Sequence, residues 1–129
     1  MGVTHVTVTV RNPADPKRAW SGEFLVDTGA TDTLVPAKHL DEIGITPDSK
    51  RVYELADGSE VTYRTGGAKI EFMGDITTIP VIFGPDDAEP ILGVIALESV
   101  GIEVDPRNGQ LKRLPALRLK AVRRSGDAG

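Results

Sequence analysis

The residues best suited to chemistry lie in Phe24-Leu25-Val26-Asp27-Thr28-Gly29-Ala30, where an apolar run drives straight into Asp-Thr-Gly. An acid at the end of a buried strand is costly unless a site requires it, so Asp27 is the leading candidate for carboxylate chemistry. Small and hydroxylated residues follow, Ala30, Thr31, Asp32 and Thr33, and then the apolar Leu34-Val35-Pro36. A second apolar run into glycine, Ile91-Leu92-Gly93, comes later in the chain. The bland reading of Asp27 is a turn aspartate before a glycine, common at the end of any strand; the two flanking apolar elements weigh against it.

Other chemistries find little support. The chain has no cysteine, which excludes a thiol nucleophile, a disulfide scaffold and cysteine zinc sites. His5 and His39 are the only histidines and lack convergent ligand spacing for zinc. Asp86, Asp87 and Glu89 do not have the alternating spacing of a calcium loop. Asp-Thr-Gly-Ala lacks the Gly-Lys-Ser/Thr ending of a phosphate loop. No metal and no cofactor are expected. Arg118, Lys120, Arg123 and Arg124 make a basic C-terminal patch that reads as a solvated edge guard.

The elements that must position Asp27 are mostly strands. Thr4 to Val10 alternates, with Val6, Val8 and Val10 on one face, as in a half-buried strand. Residues 11–16 form a turn or loop, and Trp20 to Val26 forms the next strand, so these two can make a hairpin. Ala37 to Ile43 reads as a short helix stopped by Gly44. Arg51 to Leu55 and Glu60 to Arg64 flank Asp57-Gly58, the strongest short hairpin signal in the chain. Gly66-Gly67 reads as a bend, and strands follow at Lys69 to Phe72 and Ile76 to Phe83, around Met73-Gly74-Asp75. Residues 84–90 are an exposed acidic loop and Val94 to Val100 a short helix. Strands are expected at Ile102 to Val104 and Gln110 to Leu114, and a last one from the alternation of Leu117, Leu119 and Ala121 with Arg118 and Lys120. Many short strands with frequent turns indicate an all-β barrel or sandwich.

Asp27-Thr28-Gly29-Ala30, the hairpin around Ala56-Asp57-Gly58-Ser59 and Ile91-Leu92-Gly93 opening a helix together resemble the retropepsin-like, single-domain aspartic proteases, over about residues 20–105. The resemblance implies a closed β-barrel with one or two short helices, working as a symmetric homodimer. It implies that Asp27, Thr28 and Gly29 are catalytic and that the loops holding Asp27 and Ile91-Leu92-Gly93 sit side by side. Aspartic-protease chemistry needs two carboxylates sharing a proton and a water; with one such motif, a chain supplies half a site. Thr28 would bond across the two-fold axis, as in the family. The hairpin of Leu55, Ala56, Asp57, Gly58 and Ser59 would cover an extended peptide, with Ala30, Thr31, Asp32, Ile91, Leu92 and Gly93 also lining the substrate cleft. Two departures bear on dimer strength: retroviral members often carry an acid where Thr31 stands and an Arg where Val94 stands. The polar hairpin tip is closer to cellular and prokaryotic members.

The length suits one domain, read as residues 1–124 with 125–129 a flexible tail. A net charge of −4 implies no general nucleic-acid surface. The N-terminus has no secretory signal pattern, and no apolar stretch approaches a membrane span. The default expectation is a soluble, cytoplasmic protein. The expected activity is peptide-bond hydrolysis; the alternative is a non-catalytic dimerisation or peptide-binding module of the same fold.

Overall fold

The computed structural model describes residues 4–125. The expected tail at 125–129 thus falls, apart from Ser125, outside the described residues. The elements run β1 (His5–Asn12), β2 (Asp15–Val26), β3 (Thr33–Pro36), α1 (Ala37–Glu42), β4 (Ser49–Glu54), β5 (Glu60–Phe72), β6 (Asp75–Gly84), β7 (Ile91–Leu92), α2 (Val94–Ser99), β8 (Ile102–Val104) and β9 (Leu111–Arg113). The protein is mostly β, as its alternating segments and frequent turn residues require.

Seven strands form one sheet in the order β1-β2-β7-β3-β6-β5-β4, and a further β1–β5 pairing brings the ladder back on itself. Strand β4 lies outside that ring, and among the described residues its only strand pairing is to β5. Strands β8 and β9 form a separate hairpin. The interior is apolar, built from Val8, Val10, Phe24, Val35, Ile70 and Leu92, all fully buried. Val8 and Val10 are the inward positions of the β1 alternation, while Val6 is half-buried near the rim.

Local chemistry explains the joins. Helix α1 ends on Ile43, and Gly44 adopts φ +80°. The Gly44 N–H donates to the Asp41 carbonyl and the Ile45 N–H to that of Leu40, a paired C-terminal closure that favours glycine in the left-handed region. The same helix starts after Pro36, which supplies no side-chain cap. Asp86 reaches over from the acidic loop instead, accepting the Lys38 N–H at 2.9 Å. That carboxylate satisfies one of the helix's orphan donors.

Several boundaries differ from expectation. Gly66 and Gly67 do not break the chain; β5 runs straight through them, paired to Val81 and Pro80 of β6. Glycine serves close approach at Gly66, where a Cβ would lie 3.0 Å from the Thr46 carbonyl oxygen. Strand β2 begins earlier than Trp20, because the turn at Pro13-Ala14 is tight enough to pair Asn12 with Asp15. Strand β3 was not expected; parallel pairing to β6 makes it a strand. The strand expected at 117–121 does not form: its backbone finds no partner edge among the described residues, and an isolated alternating segment has no ladder in which to place its hydrogen bonds. Among the described residues no helix is long and apolar enough to cross a membrane.

The β5–β6 connection is a two-residue turn in which both Met73 (φ 52°) and Gly74 (φ 81°) lie in the left-handed region. This geometry suits the sheet twist but disfavours a side chain such as methionine. Met73→Asn is expected to stabilise the fold by about 0.5–1 kcal/mol, read as a rise in urea midpoint at unchanged slope.

Candidate active site

Asp27 is delivered by the end of β2. That end pairs in parallel with β7, placing Leu25 beside Ile91 and Val26 beside Leu92. The ladder continues one step further, as the Asp27 N–H donates to the Leu92 carbonyl at 3.1 Å. The chain then turns. The Ala30 N–H donates to the Asp27 carbonyl at 3.1 Å, and the Gly29 N–H donates to Asp27 Oδ1 at 2.9 Å. The carboxylate is thus tied to its own loop, half-buried, with Thr28 and Gly29 exposed beside it.

The loop is held from behind by α2. The first N–H groups of a helix have no partner within it; here Val94 donates to the Ala30 carbonyl at 2.8 Å and Ile95 to the Thr31 carbonyl at 3.2 Å. The Gly93 N–H donates to the fully buried Thr33 Oγ1 at 3.1 Å. Gly93 has an ordinary extended backbone (φ −89°, ψ 174°), so its need for glycine is steric. A Cβ there would lie 2.6 Å from the Asp32 carbonyl oxygen and 2.9 Å from that of Thr31. The structure therefore brings Asp27 to Asp32 together with Ile91, Leu92 and Gly93 through backbone contacts. Thr33 was not among the expected site residues; a hydroxyl one residue beyond an acid carries no distinguishing signal in sequence.

Asp32 sits beneath the surface, 4% exposed. Its Oδ2 accepts hydrogen bonds from Arg51 Nη1 at 3.0 Å and from the Tyr53 hydroxyl at 2.6 Å. Its Oδ1 is buried without a hydrogen-bond partner among the described residues. Arg51 and Tyr53 are two residues apart on β4 and so share a face. That period was readable in sequence; its destination was not. Burial first, then the bond to Asp32 and its negative charge, push the Tyr53 hydroxyl up to about 12 from the usual 10.0. The phenol stays neutral and donates.

The hairpin of β4 and β5 ends in an exposed turn, Leu55 to Ser59. The Leu55 N–H donates to the Ser59 carbonyl at 2.8 Å and the Gly58 N–H to that of Leu55 at 2.9 Å. Only Gly58 adopts positive φ (+85°). This is a three-residue loop closed by a left-handed glycine, rather than a two-residue Asp-Gly turn. Asp57 accepts from both the hydroxyl and the N–H of Ser59, which hold its carboxyl below the usual range. Leu55, Ala56, Asp57, Gly58 and Ser59 make no hydrogen bond to the Asp27 loop; the hairpin is joined to that loop through Arg51, Tyr53 and Asp32.

On the exposed side, Thr28 lines a groove of about 830 Å³ that runs between α2 and the C-terminal segment, with Val94, Leu97, Leu114 and Leu117 among its walls. Among the described residues no three His, Asp or Glu side chains converge as a metal-binding group.

A family model described as aspartyl protease matches residues 6–96. Among solved structures, the EIAV protease in complex with the inhibitor HBY-793 is similar at 20% identity and a TM-score of 0.53, covering 78% of this chain and 89% of the viral one. The shared fold is retropepsin-like. No curated protein matches the chain significantly.

Two outcomes follow from this geometry. Gly93→Ala should cost about 2–3 kcal/mol, because backbone rather than a movable side chain occupies the space; chemical denaturation reads the loss. For Tyr53, the folded phenol titrates above the unfolded one. Its contribution is whole below pH 10 and is lost as pH rises from 10.0 towards about 12. The urea midpoint should fall over that window, and fall less in Tyr53→Phe.

Proposed function

The chain belongs to the aspartyl protease family, and on that premise we propose that it is an aspartic endopeptidase whose active site is completed by a second copy of itself. The observation that carries this reading is the Asp27 carboxylate, held on a rigid Asp-Thr-Gly loop by backbone donors and acceptors from β7 and α2. Each chain offers one such carboxylate. Two of them, brought together across a two-fold axis, share one proton, because like charges in contact cannot both ionise readily.

In the proposed reaction the ionised member of the Asp27 pair takes a proton from water as its oxygen attacks the scissile carbonyl carbon. The protonated member donates to the carbonyl oxygen. The tetrahedral intermediate collapses as a proton passes to the amide nitrogen, the C–N bond breaks, and a carboxylic acid and an amine leave. Asp27, Thr28 and Gly29 form the catalytic loop in this reading, and the barrel is complete as a working unit only in the dimer. The partner copy meets the face bearing Thr28. There the groove and the exposed Leu117 in its wall, 59% accessible, offer apolar surface to cover. Extended substrate peptide lies between the Asp27 loops and the Leu55–Ser59 hairpins, its backbone adding to a strand edge.

Incubation of wild type and Asp27→Asn with a mixed peptide library at mildly acidic pH tests the proposal, with a statin-type transition-state mimic as control and sedimentation to give the mass. Cleavage by wild type, blocked by the mimic and reduced by about 10²–10⁴-fold or more in Asp27→Asn, is the expected result. Equal cleavage by both proteins would overturn the assignment of Asp27. A dimer that binds peptides without cleaving them would make the chain a peptide-binding module.

A further inference from the structure

We propose that Asp32, Arg51 and Tyr53 form a latch between the catalytic loop and the covering hairpin, and that Arg51 and Tyr53 are positioning residues for peptide binding. The proposal rests on the endopeptidase reading for its kinetic consequence, though not for its structural one.

The hairpin needs such a device. Strand β4 stands at the end of the sheet order and, among the described residues, is laddered to β5 alone. Its far end carries the exposed turn Leu55–Ser59. A two-stranded ribbon in water is marginally stable by itself, so its angle to the body depends on side chains that reach back. Arg51 and Tyr53 do so, and they reach the loop that carries Asp27, landing on Asp32 five residues further along.

The form of the contact indicates a movable joint. The Asp32 side chain is 2% exposed and that of Arg51 is 45% exposed. A buried carboxylate anchored for stability alone is best served by a two-pronged Arg contact that uses both oxygens. Here both bonds converge on Oδ2, and Oδ1 is left buried without a partner among the described residues. Leaving that acceptor unmet is costly, and the guanidinium meets the carboxylate through a single nitrogen. The tilted Tyr53–Tyr63 ring pair, 6.2 Å between centroids, keeps the phenol aimed from the β4–β5 ribbon. A one-point attachment of this kind allows the ribbon to pivot about Asp32 while remaining tied to it.

The latch acts on peptide binding rather than on the bond-breaking step. A hairpin laid on an extended peptide contacts ground state and transition state alike, and loss of uniform binding raises KM without changing kcat. Tyr53→Phe removes one bond and keeps the ring; Arg51→Lys keeps the charge with a different reach; Asp32→Asn removes the charge that both donors share.

Hydrogen exchange read by mass spectrometry on the 129-residue chain tests the joint without requiring turnover. In Tyr53→Phe and Asp32→Asn, amides of residues 49–65 should exchange about tenfold faster, with those of β1, β2 and β6 unchanged. Faster exchange throughout the sheet would mean that the cluster only stabilises the fold, and unchanged exchange in the hairpin would mean that it holds nothing; either overturns the latch. On a cleaved library peptide, KM should rise about tenfold at near-constant kcat, with Arg51→Lys intermediate. A drop in kcat at constant KM would overturn the positioning role. Absence of cleavage by wild type would defeat the endopeptidase reading, and the exchange result would still decide the latch.

Discussion

Everything at the site depends on one backbone arrangement: the parallel pairing of β2 with β7, capped by the contact of Gly93 with the Asp32 carbonyl. Two residues of ladder, Leu25 with Ile91 and Val26 with Leu92, bring distant parts of the chain into register. The next residue of each strand is then one that shapes the candidate site, Asp27 on one side and Gly93 on the other. Because α2 starts immediately after Gly93, its unpaired N–H groups point at the loop, and the Ala30 and Thr31 carbonyls receive them. A helix start that elsewhere would need water or a capping side chain is satisfied by the loop it positions. The loop gains rigidity from the same bonds. Two needs are met by one close approach, and the absence of a side chain at position 93 makes it possible.

The second constraint is electrostatic. A carboxylate as deeply buried as Asp32 requires compensation. It receives a cation and a phenol from an edge strand, β4, whose only strand pairing among the described residues is with β5. Charge compensation and hairpin placement are consequently one problem with one solution. This is also why the residue after Thr31 stands apart from its neighbours: Ala30 and Thr31 contribute backbone carbonyls to α2, whereas Asp32 contributes its side chain to the hairpin. Thr31 carries no charge of its own, and the adjacent acid, Asp32, is directed inward.

Much of this was legible in the residues. The Val6-Val8-Val10 alternation identified a strand facing the core, Gly44 marked the end of α1, and the apolar run into Asp-Thr-Gly identified the loop. These signals are short-range: they reflect side-chain period, positive φ and local turn chemistry. Where reading failed, competing long-range pairing decided. Gly66 and Gly67 look like a break, yet β6 supplies hydrogen bonds to both sides of them and the strand continues. Leu117, Leu119 and Ala121 look like a strand, yet no edge among the described residues pairs with them. The Asp57-Gly58 pair signalled a hairpin correctly, while the turn is one residue longer because Ser59 binds both Leu55 and the Asp57 carboxylate.

The sequence by itself determined that an apolar strand delivers Asp27 into a tight glycine turn, because side-chain period and turn chemistry are local properties of the chain. It could not determine which groups hold that acid's loop, or that Asp32 turns away from the surface to meet Arg51 and Tyr53. Those outcomes depend on the register of β2 against β7 and of β4 against β5, joining residues that are far apart along the chain. Register is set by the whole set of cross-strand contacts at once, and only the folded chain brings that set together.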